Sequence, residues 1–176
     1  MNRELRFRVI LLLATWVPAI SLVRAATPET EALAAAQAWG RAIMAHDVDA
    51  QMKLLPQAMY PKPDERERQR QVRLHETELA RINNRKYVSF DVRPPAQTMN
   101  IGTRIVVVVP YRSIQTIVEG RLQTDSVLIA LSEEGSNQWS VFDGTGRTVR
   151  TLTAVIPGYT KELRVPPAVT KVLRAE

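Results

Sequence analysis

The chain has 176 residues and no cysteine, which excludes disulfide bonds and lipid attachment at a cysteine. Its formal net charge is +6, but residues 1–25 carry half of that charge, and acidic and basic side chains are interspersed in the remainder. Because nucleic-acid binding requires clustered basic residues, this composition argues against a nucleic-acid partner. The remainder is long enough for one domain that its hydrophobic core stabilises without cross-links.

The N-terminus has the pattern of an export signal. Arg3, Arg6 and Arg8 precede an apolar run over residues 9–17, and the small residue Ala25 lies at the expected cleavage position. A basic start, an apolar centre and a small-residue exit are typical of a signal peptide. The alternative is a retained membrane anchor, but the run is shorter than the roughly 20 apolar residues that a spanning helix needs. We therefore predict cleavage after Ala25 and a periplasmic or secreted protein with no stable membrane span.

Three helices are predicted in the N-terminal half of the chain. The first begins after a capping Thr27 and runs to about Ala45. The second begins after a capping Asp47 and ends before Pro56, since the residue that precedes a proline avoids the helical region. The third covers residues 64–85 and is rich in arginine and glutamate. All three should therefore come before the strands.

The charged third helix carries one narrow apolar stripe. Val72, His75, Leu79 and Ile82 follow one another at spacings of three and four residues. The other positions are mostly Arg, Glu and Gln, with opposite charges at helical spacing. We interpret this segment as a helix that lies with its stripe on a sheet and its charged face in solvent. The alternative is a helix that binds a partner.

Strands are predicted after residue 86. Apolar and polar residues alternate over 87–92, and Pro94-Pro95 ends that strand. The β-branched run over 105–109 predicts a central strand that is buried on both faces, and Pro110 predicts a bulge or bend after it. A short helix or turn is predicted over 148–156, and the rest of the C-terminus should lie extended over the body or be frayed at residues 171–176. Further strands are predicted over 114–118, 122–132 and 139–143.

These elements predict an α+β fold in which the N-terminal helices pack on a curved, cone-like antiparallel sheet of about four to five strands. We divide the chain into a signal peptide (1–25), an α+β domain (26–147) and a partly irregular C-terminal extension (148–176). The alternative is a sheet of another topology with helices on one face.

The element order resembles the nuclear transport factor two-like superfamily, the cystatin-like α+β cone. The similarity lies in the first helix with its Asp-containing break (42–49), the short helix at 52–55 and the strand through 139–144. One feature differs, because helix 64–85 precedes every predicted strand, whereas many members place a strand before it. The resemblance implies a sheet that can enclose a pocket, and a homodimer through the open sheet face.

Two residues are candidates for catalysis because of this resemblance. Enzymes of the superfamily, such as ketosteroid isomerase and scytalone dehydratase, use buried Asp, His or Tyr groups for proton transfer, and His75 and Asp143 are the corresponding candidates here. Each has a structural alternative: His75 as a packed core histidine, and Asp143 as the residue that pins the turn at Gly144. His46 is interpreted as a helix C-terminal residue. No spacing forces two carboxylates together, so no acid–base pair is predicted.

The sequence gives only weak signals for metal, phosphate and other ligand sites. No metal or cofactor is predicted, because paired histidines are missing and Asp47-Val48-Asp49 lacks the rest of a calcium loop. Phosphate-binding and serine-nucleophile motifs are also missing from the sequence. Large amphipathic side chains would line any pocket, with ordinary packing as the alternative. These pocket candidates are Trp39, Tyr60, Tyr87, Tyr111 and Trp139.

We therefore predict an exported, non-catalytic binding or accessory domain whose partner is an envelope protein or a small ligand. The alternative is a pocket enzyme that performs proton transfer or hydrolysis on a small molecule. A deep closed cavity with converging polar groups would favour the enzyme. A filled core with an exposed apolar face would favour the binding domain.

Overall fold

The computed structural model describes residues 26–60, 62–118, 120–133, 135–145, 147–160 and 162–173; the predicted signal peptide lies outside these ranges. The helices are α1 (Pro28–Met44), α2 (Val48–Leu54), α3 (Pro63–Ile82) and α4 (Val149–Val155), with a short 3₁₀ turn at Gln57–Met59. The strands are β1 (Tyr87–Val92), β2 (Gln97–Ile101), β3 (Arg104–Ile117), β4 (Gly120–Glu133), β5 (Ser140–Asp143) and β6 (Val169–Leu173).

The predicted α+β fold is confirmed, with N-terminal helices on a curved antiparallel sheet. The sheet has six strands, whereas about four to five were expected. The long strands β3 and β4 pair along their whole length and form its centre. β1 and β2 follow one another along the outer side of β3, and β6 and β5 do the same along the outer side of β4. Each edge of the sheet is therefore built from two short strands.

Side-chain caps fix where the first two helices begin, as predicted. The Thr27 hydroxyl accepts the N–H of Thr30 at 3.4 Å. The Asp47 carboxylate accepts the N–H of Ala50 at 2.9 Å. Both side chains satisfy backbone donors that have no partner inside the first helical turn.

The two faces of the sheet are covered by different parts of the chain. Side chains alternate between the faces, and Val106–Val109 are all buried, so both faces of β3 are covered as predicted. Helix α1 covers one face, which we call the first face. The contact is so close that a Cβ on Gly40 would lie 2.7 Å from Cδ1 of Phe90. The C-terminal residues cover part of the second face, where Gly158 approaches Ile101.

The C-terminal extension is part of this architecture. The short helix that was predicted over 148–156 is present as α4. Of the two alternatives for the end of the chain, fraying is wrong for residues 171–173, because β6 pairs with residues 121–125 of β4. Four side chains of the extension belong to the hydrophobic core and are at most 2% exposed: Leu152, Val155, Ile156 and Leu163.

Of the bulge or bend that was predicted at Pro110, the bulge is wrong, because β3 and β4 stay in register through Pro110 and Val127. The Pro110 carbonyl accepts the N–H of Arg93, so it faces the side of β1 and β2. In an antiparallel strand the N–H and C=O of one residue face the same neighbour. The missing N–H of Pro110 therefore faces the break between β1 and β2, where no ladder bond is needed.

The predicted orientation of the charged helix is also wrong. Val72, His75, Leu79 and Ile82 are exposed on α3, with Ile82 at 67%. The sheet face that this stripe was expected to cover is occupied by α1, and α3 contacts α2 instead. Among the described helices, none is long and apolar enough to cross a lipid bilayer.

Candidate functional site

An open groove of about 1190 Å³ lies on the second face of the sheet. One wall is the sheet itself, and the other is the C-terminal segment that follows α4. Val108, Pro110 and Val127 give the groove an apolar floor. Polar and charged side chains border it, namely Arg93, Gln97, Asp125, Glu162 and Arg164. This combination of an apolar surface and a few polar groups is typical of ligand sites.

Local contacts hold the C-terminal segment away from the floor. The Gln97 amide donates to the Glu162 carbonyl at 2.9 Å and accepts the N–H of Arg164 at 3.0 Å. Pro166-Pro167 then keep the chain extended, because both proline φ angles are fixed. Beside Arg164 the segment packs so tightly that a Cβ on Gly144 would lie 3.1 Å from Val165. The far end of the segment is fixed by β6, where Val169 pairs with Asp125.

Asp125 is the carboxylate at the centre of the charged border. It accepts two hydrogen bonds from the Arg112 guanidinium, at 2.8 and 3.1 Å, and one from Gln123 at 2.9 Å. The Arg112 bonds lower the pKa of Asp125 below its ordinary value. Asp125 therefore stays ionised at neutral pH and is a poor proton donor. Arg93 contacts it only at 3.4 Å, which leaves guanidinium donors for a ligand.

The five aromatic pocket candidates occupy different places. Trp39 and Tyr60 are buried in the hydrophobic core. Tyr111 is buried and lines the groove, whereas Tyr87 is half-buried and lines a smaller cavity of about 300 Å³. Trp139 is half-buried, and its indole N–H donates to Glu31 of α1 at 2.9 Å. The structure therefore does not bring these residues together in one pocket.

Asp143 lies at the end of β5 in a small polar cluster. The Tyr111 hydroxyl donates to Asp143 at 3.1 Å, and the carboxylate accepts the N–H of Thr145 at 2.8 Å. Burial raises the pKa of Tyr111, and the nearby Asp143 charge raises it further, so this phenol stays protonated. These contacts agree with the interpretation of Asp143 as the residue that stabilises the turn at Gly144. His75 is exposed on α3, so the structure does not join the two catalytic candidates.

His46 forms the C-terminal cap of α1. The φ angle of His46 is +55°, which lies in the left-handed region that residues with a Cβ atom rarely adopt. Its N–H bonds to the Ile43 carbonyl, and the N–H of Asp47 bonds to the Ala42 carbonyl. This is the Schellman arrangement, in which glycine is the usual residue. The interpretation of His46 as a helix-ending residue therefore agrees with its geometry.

We expect His46→Gly to stabilise the protein by about 1 kcal/mol, because glycine adopts the left-handed conformation without a Cβ clash. Urea unfolding followed by circular dichroism measures the change. The matched control is His75→Gly in the exposed interior of α3, which should lose about 0.5–1 kcal/mol. A His46→Gly variant less stable than the parent would contradict this explanation.

Of the residues that line the groove, sequence reasoning identified Tyr111 and missed the charged ones. Arg93 and Asp125 come together only through the pairing of β1, β3 and β4, and Arg164 reaches the groove through its bond to Gln97. Pro166-Pro167 indicated an extended segment, but nothing in the pattern indicated which surface it would cross.

Within the residues that the structure describes, no group of three or more His, Asp or Glu side chains could hold a metal ion. No family model matches the sequence, and neither a curated protein nor a solved structure matches the chain. The resemblance to the nuclear transport factor two-like superfamily stays a prediction, and the functional argument rests on the groove.

Proposed function

We propose that the protein is an exported, non-catalytic binding domain whose groove takes a partly apolar ligand with an anionic group. The observation that carries the proposal is the groove of about 1190 Å³, with an apolar floor and arginines at its border. The basic and apolar pattern of residues 1–25 supports export to the cell envelope.

The charges at the border favour an anion. Arg93 and Arg164 line the groove, and the guanidinium group of arginine binds carboxylates through paired hydrogen bonds. Asp125 is already engaged by Arg112, so its charge is largely compensated. Glu162 remains as an opposing charge, which should limit the affinity for ligands with several negative groups.

Two features support a binding role over catalysis. The space between α1 and the sheet, where the resemblance places a catalytic pocket, is occupied by buried side chains that include Trp39, Val107 and Leu128. In the groove, the carboxylate of Asp125 is fixed in an ion pair and its pKa is lowered, which makes it unsuited to move protons at neutral pH.

Sodium decanoate is a suitable probe, because it combines an apolar chain with one carboxylate. We expect the protein, purified from the cell envelope, to bind decanoate more tightly than decanol in calorimetric titrations. Arg164→Ala should weaken decanoate binding about tenfold, since a hydrogen bond to a charged group contributes roughly 1.5 kcal/mol. The intact mass of the same preparation tests cleavage after Ala25.

The matched control is Arg121→Ala, because Arg121 is an exposed arginine six residues along β4 from Val127, about 20 Å away. Its removal should leave the affinity for decanoate unchanged. Equal affinity for decanol and decanoate, or an Arg164→Ala variant that binds like the parent, would contradict the proposal.

A further inference from the structure

A separate cavity of about 420 Å³ lies between α3, α4 and the 3₁₀ turn, and we call it the arginine cavity. Three arginines from distant parts of the chain line it: Arg73 of α3, Arg147 of the loop after β5, and Arg150 of α4. The rest of its described lining is uncharged and includes the apolar side chains of Met59 and Val155. The arginine cavity therefore combines three positive charges with an apolar surface.

Two other cavities of the protein contain charges of both signs. In the groove, Asp125 and Glu162 accompany the two arginines. In a cavity between α2 and α3, Asp49 and Glu67 accompany the basic residues. By contrast, none of the three arginines of the arginine cavity forms an ion pair with another residue of the described ranges. Their charge is thus left for a ligand.

Three carboxylates are close to these arginines in the chain, and each already has partners of its own. Glu65 precedes the lining residues of α3 and pairs with Arg68 at 3.4 Å. Glu76 lines the neighbouring cavity of about 300 Å³, together with two basic residues that precede β1. The Asp143 carboxylate already accepts two hydrogen bonds. Counting these groups therefore leaves the arginine cavity positively charged.

Two of the arginines are held in place and keep donors for a ligand. The Arg147 Nε donates to the Asp143 carbonyl at 3.1 Å. The Arg73 Nη1 donates to the Gln51 amide oxygen at 3.4 Å, and its guanidinium lies 6.0 Å from the centre of the Trp39 ring. Because a guanidinium has five N–H donors, each of these contacts leaves most of them unused. Side chains that are fixed before binding also lose less conformational entropy when a ligand arrives.

We propose that the arginine cavity binds a small phosphate monoester that carries an apolar organic group. A phosphate monoester has close to two negative charges at neutral pH and three strong acceptor oxygens, which suits several guanidinium groups at once. A single carboxylate would leave most of the positive charge uncompensated. Met59 and Val155 provide the surface for the organic group.

The arginine cavity is independent of the groove, because the two share no lining residue. This inference therefore does not rest on the proposed function. Failure of decanoate to bind would leave it unaffected, and Arg164→Ala should not change the affinity for a phosphate monoester.

Phenyl phosphate is a suitable probe, and benzoate has the same ring with one carboxylate. In calorimetric titrations of the protein purified from the cell envelope, phenyl phosphate should bind about tenfold more tightly than benzoate, because its second charge and extra oxygen engage more guanidinium donors. Arg150→Gln should weaken phenyl phosphate binding about tenfold, since hydrogen bonds to charged groups are the strong ones. Arg150 is exposed, so the circular dichroism melting curve should not change.

The matched control for charge is Arg121→Gln, which removes the same charge from an exposed arginine of β4 outside the lining. Its affinity for phenyl phosphate should equal that of the parent. A second pair of variants acts at Ala154, an exposed lining residue of α4. Ala154→Glu places a carboxylate in the cavity and should abolish binding, whereas Ala154→Gln, of similar size but uncharged, should retain most of it.

Several results would overturn the inference. Phenyl phosphate could fail to bind at millimolar concentrations, or bind no more tightly than benzoate. Arg150→Gln could bind like the parent, or Ala154→Glu like Ala154→Gln. A lipid headgroup is the other source of a phosphate monoester, so vesicles that contain phosphatidic acid provide the last test. If the protein bound these vesicles through Arg150 but did not bind phenyl phosphate, the assignment to a small soluble ester would be wrong.

Discussion

Removal of residues 148–176 is expected to leave a chain that does not fold cooperatively. The deletion removes four core side chains that are at most 2% exposed, together with the partner strand of residues 121–125. Each buried apolar side chain contributes about 1.5–3 kcal/mol, so the deletion should lower the free energy of unfolding by roughly 6–12 kcal/mol. That is similar to the whole free energy of unfolding of a typical domain, about 5–15 kcal/mol.

Urea unfolding of residues 26–147 and 26–176, followed by circular dichroism, measures this loss. A graded test uses Ile156→Ala, which should lose about 2–5 kcal/mol because Ile156 is fully buried. Val149→Ala in the preceding helix α4 is the matched control, and should change stability by less than about 0.5 kcal/mol because Val149 is exposed. A cooperative, native-like transition of residues 26–147 would show that the extension is dispensable.

Trp39→Ala is expected to destabilise the protein by about 3–5 kcal/mol, the range for the removal of a large buried aromatic side chain. Trp39 is 3% exposed and belongs to the core between α1 and the sheet. Its loss should leave a cavity where the resemblance expects a pocket. The free energy of unfolding from urea titrations gives the magnitude.

Two controls separate packing from binding at Trp39. Val118→Ala should leave stability unchanged, because this side chain is almost fully in solvent. Decanoate affinity of Trp39→Ala should equal that of the parent at temperatures where both are folded, since the groove lies on the other face of the sheet. A loss of less than about 1 kcal/mol would mean that the interior is not a packed core.

Local sequence signals predicted the parts of the fold that local interactions determine. Thr27 and Asp47 cap their helices because their side chains reach backbone donors only three residues away. The β-branched run around Val107 identified a central strand, because only a strand covered on both faces accommodates such a run.

Other parts depended on contacts between distant residues. Strand β2 is mostly polar, and β6 alternates too weakly to be recognised, so their pairing with β3 and β4 decides their structure. The stripe of α3 did indicate an amphipathic helix. Which side faces the protein was decided by the bonds of Arg66 and Arg70 to α2, which periodicity alone does not encode.

The candidate site was the least predictable feature. The sequence suggested His75 and Asp143, but one is exposed on α3 and the other is bonded to Tyr111 and Thr145. The groove requires Gln97 to hold the C-terminal segment, through a contact between residues 65 positions apart. No periodic pattern reports a contact at that separation.

The central claim is that the ligand site lies between the sheet and the C-terminal segment, on the face opposite α1. Titration of the ¹⁵N-labelled protein with sodium decanoate, followed by two-dimensional NMR, tests it most directly. The account predicts that the amide signals of Val108, Val127 and Arg164 shift together and saturably, while the Trp39 indole signal stays in place. A saturable shift of the Trp39 indole, with the groove amides unchanged, would contradict it.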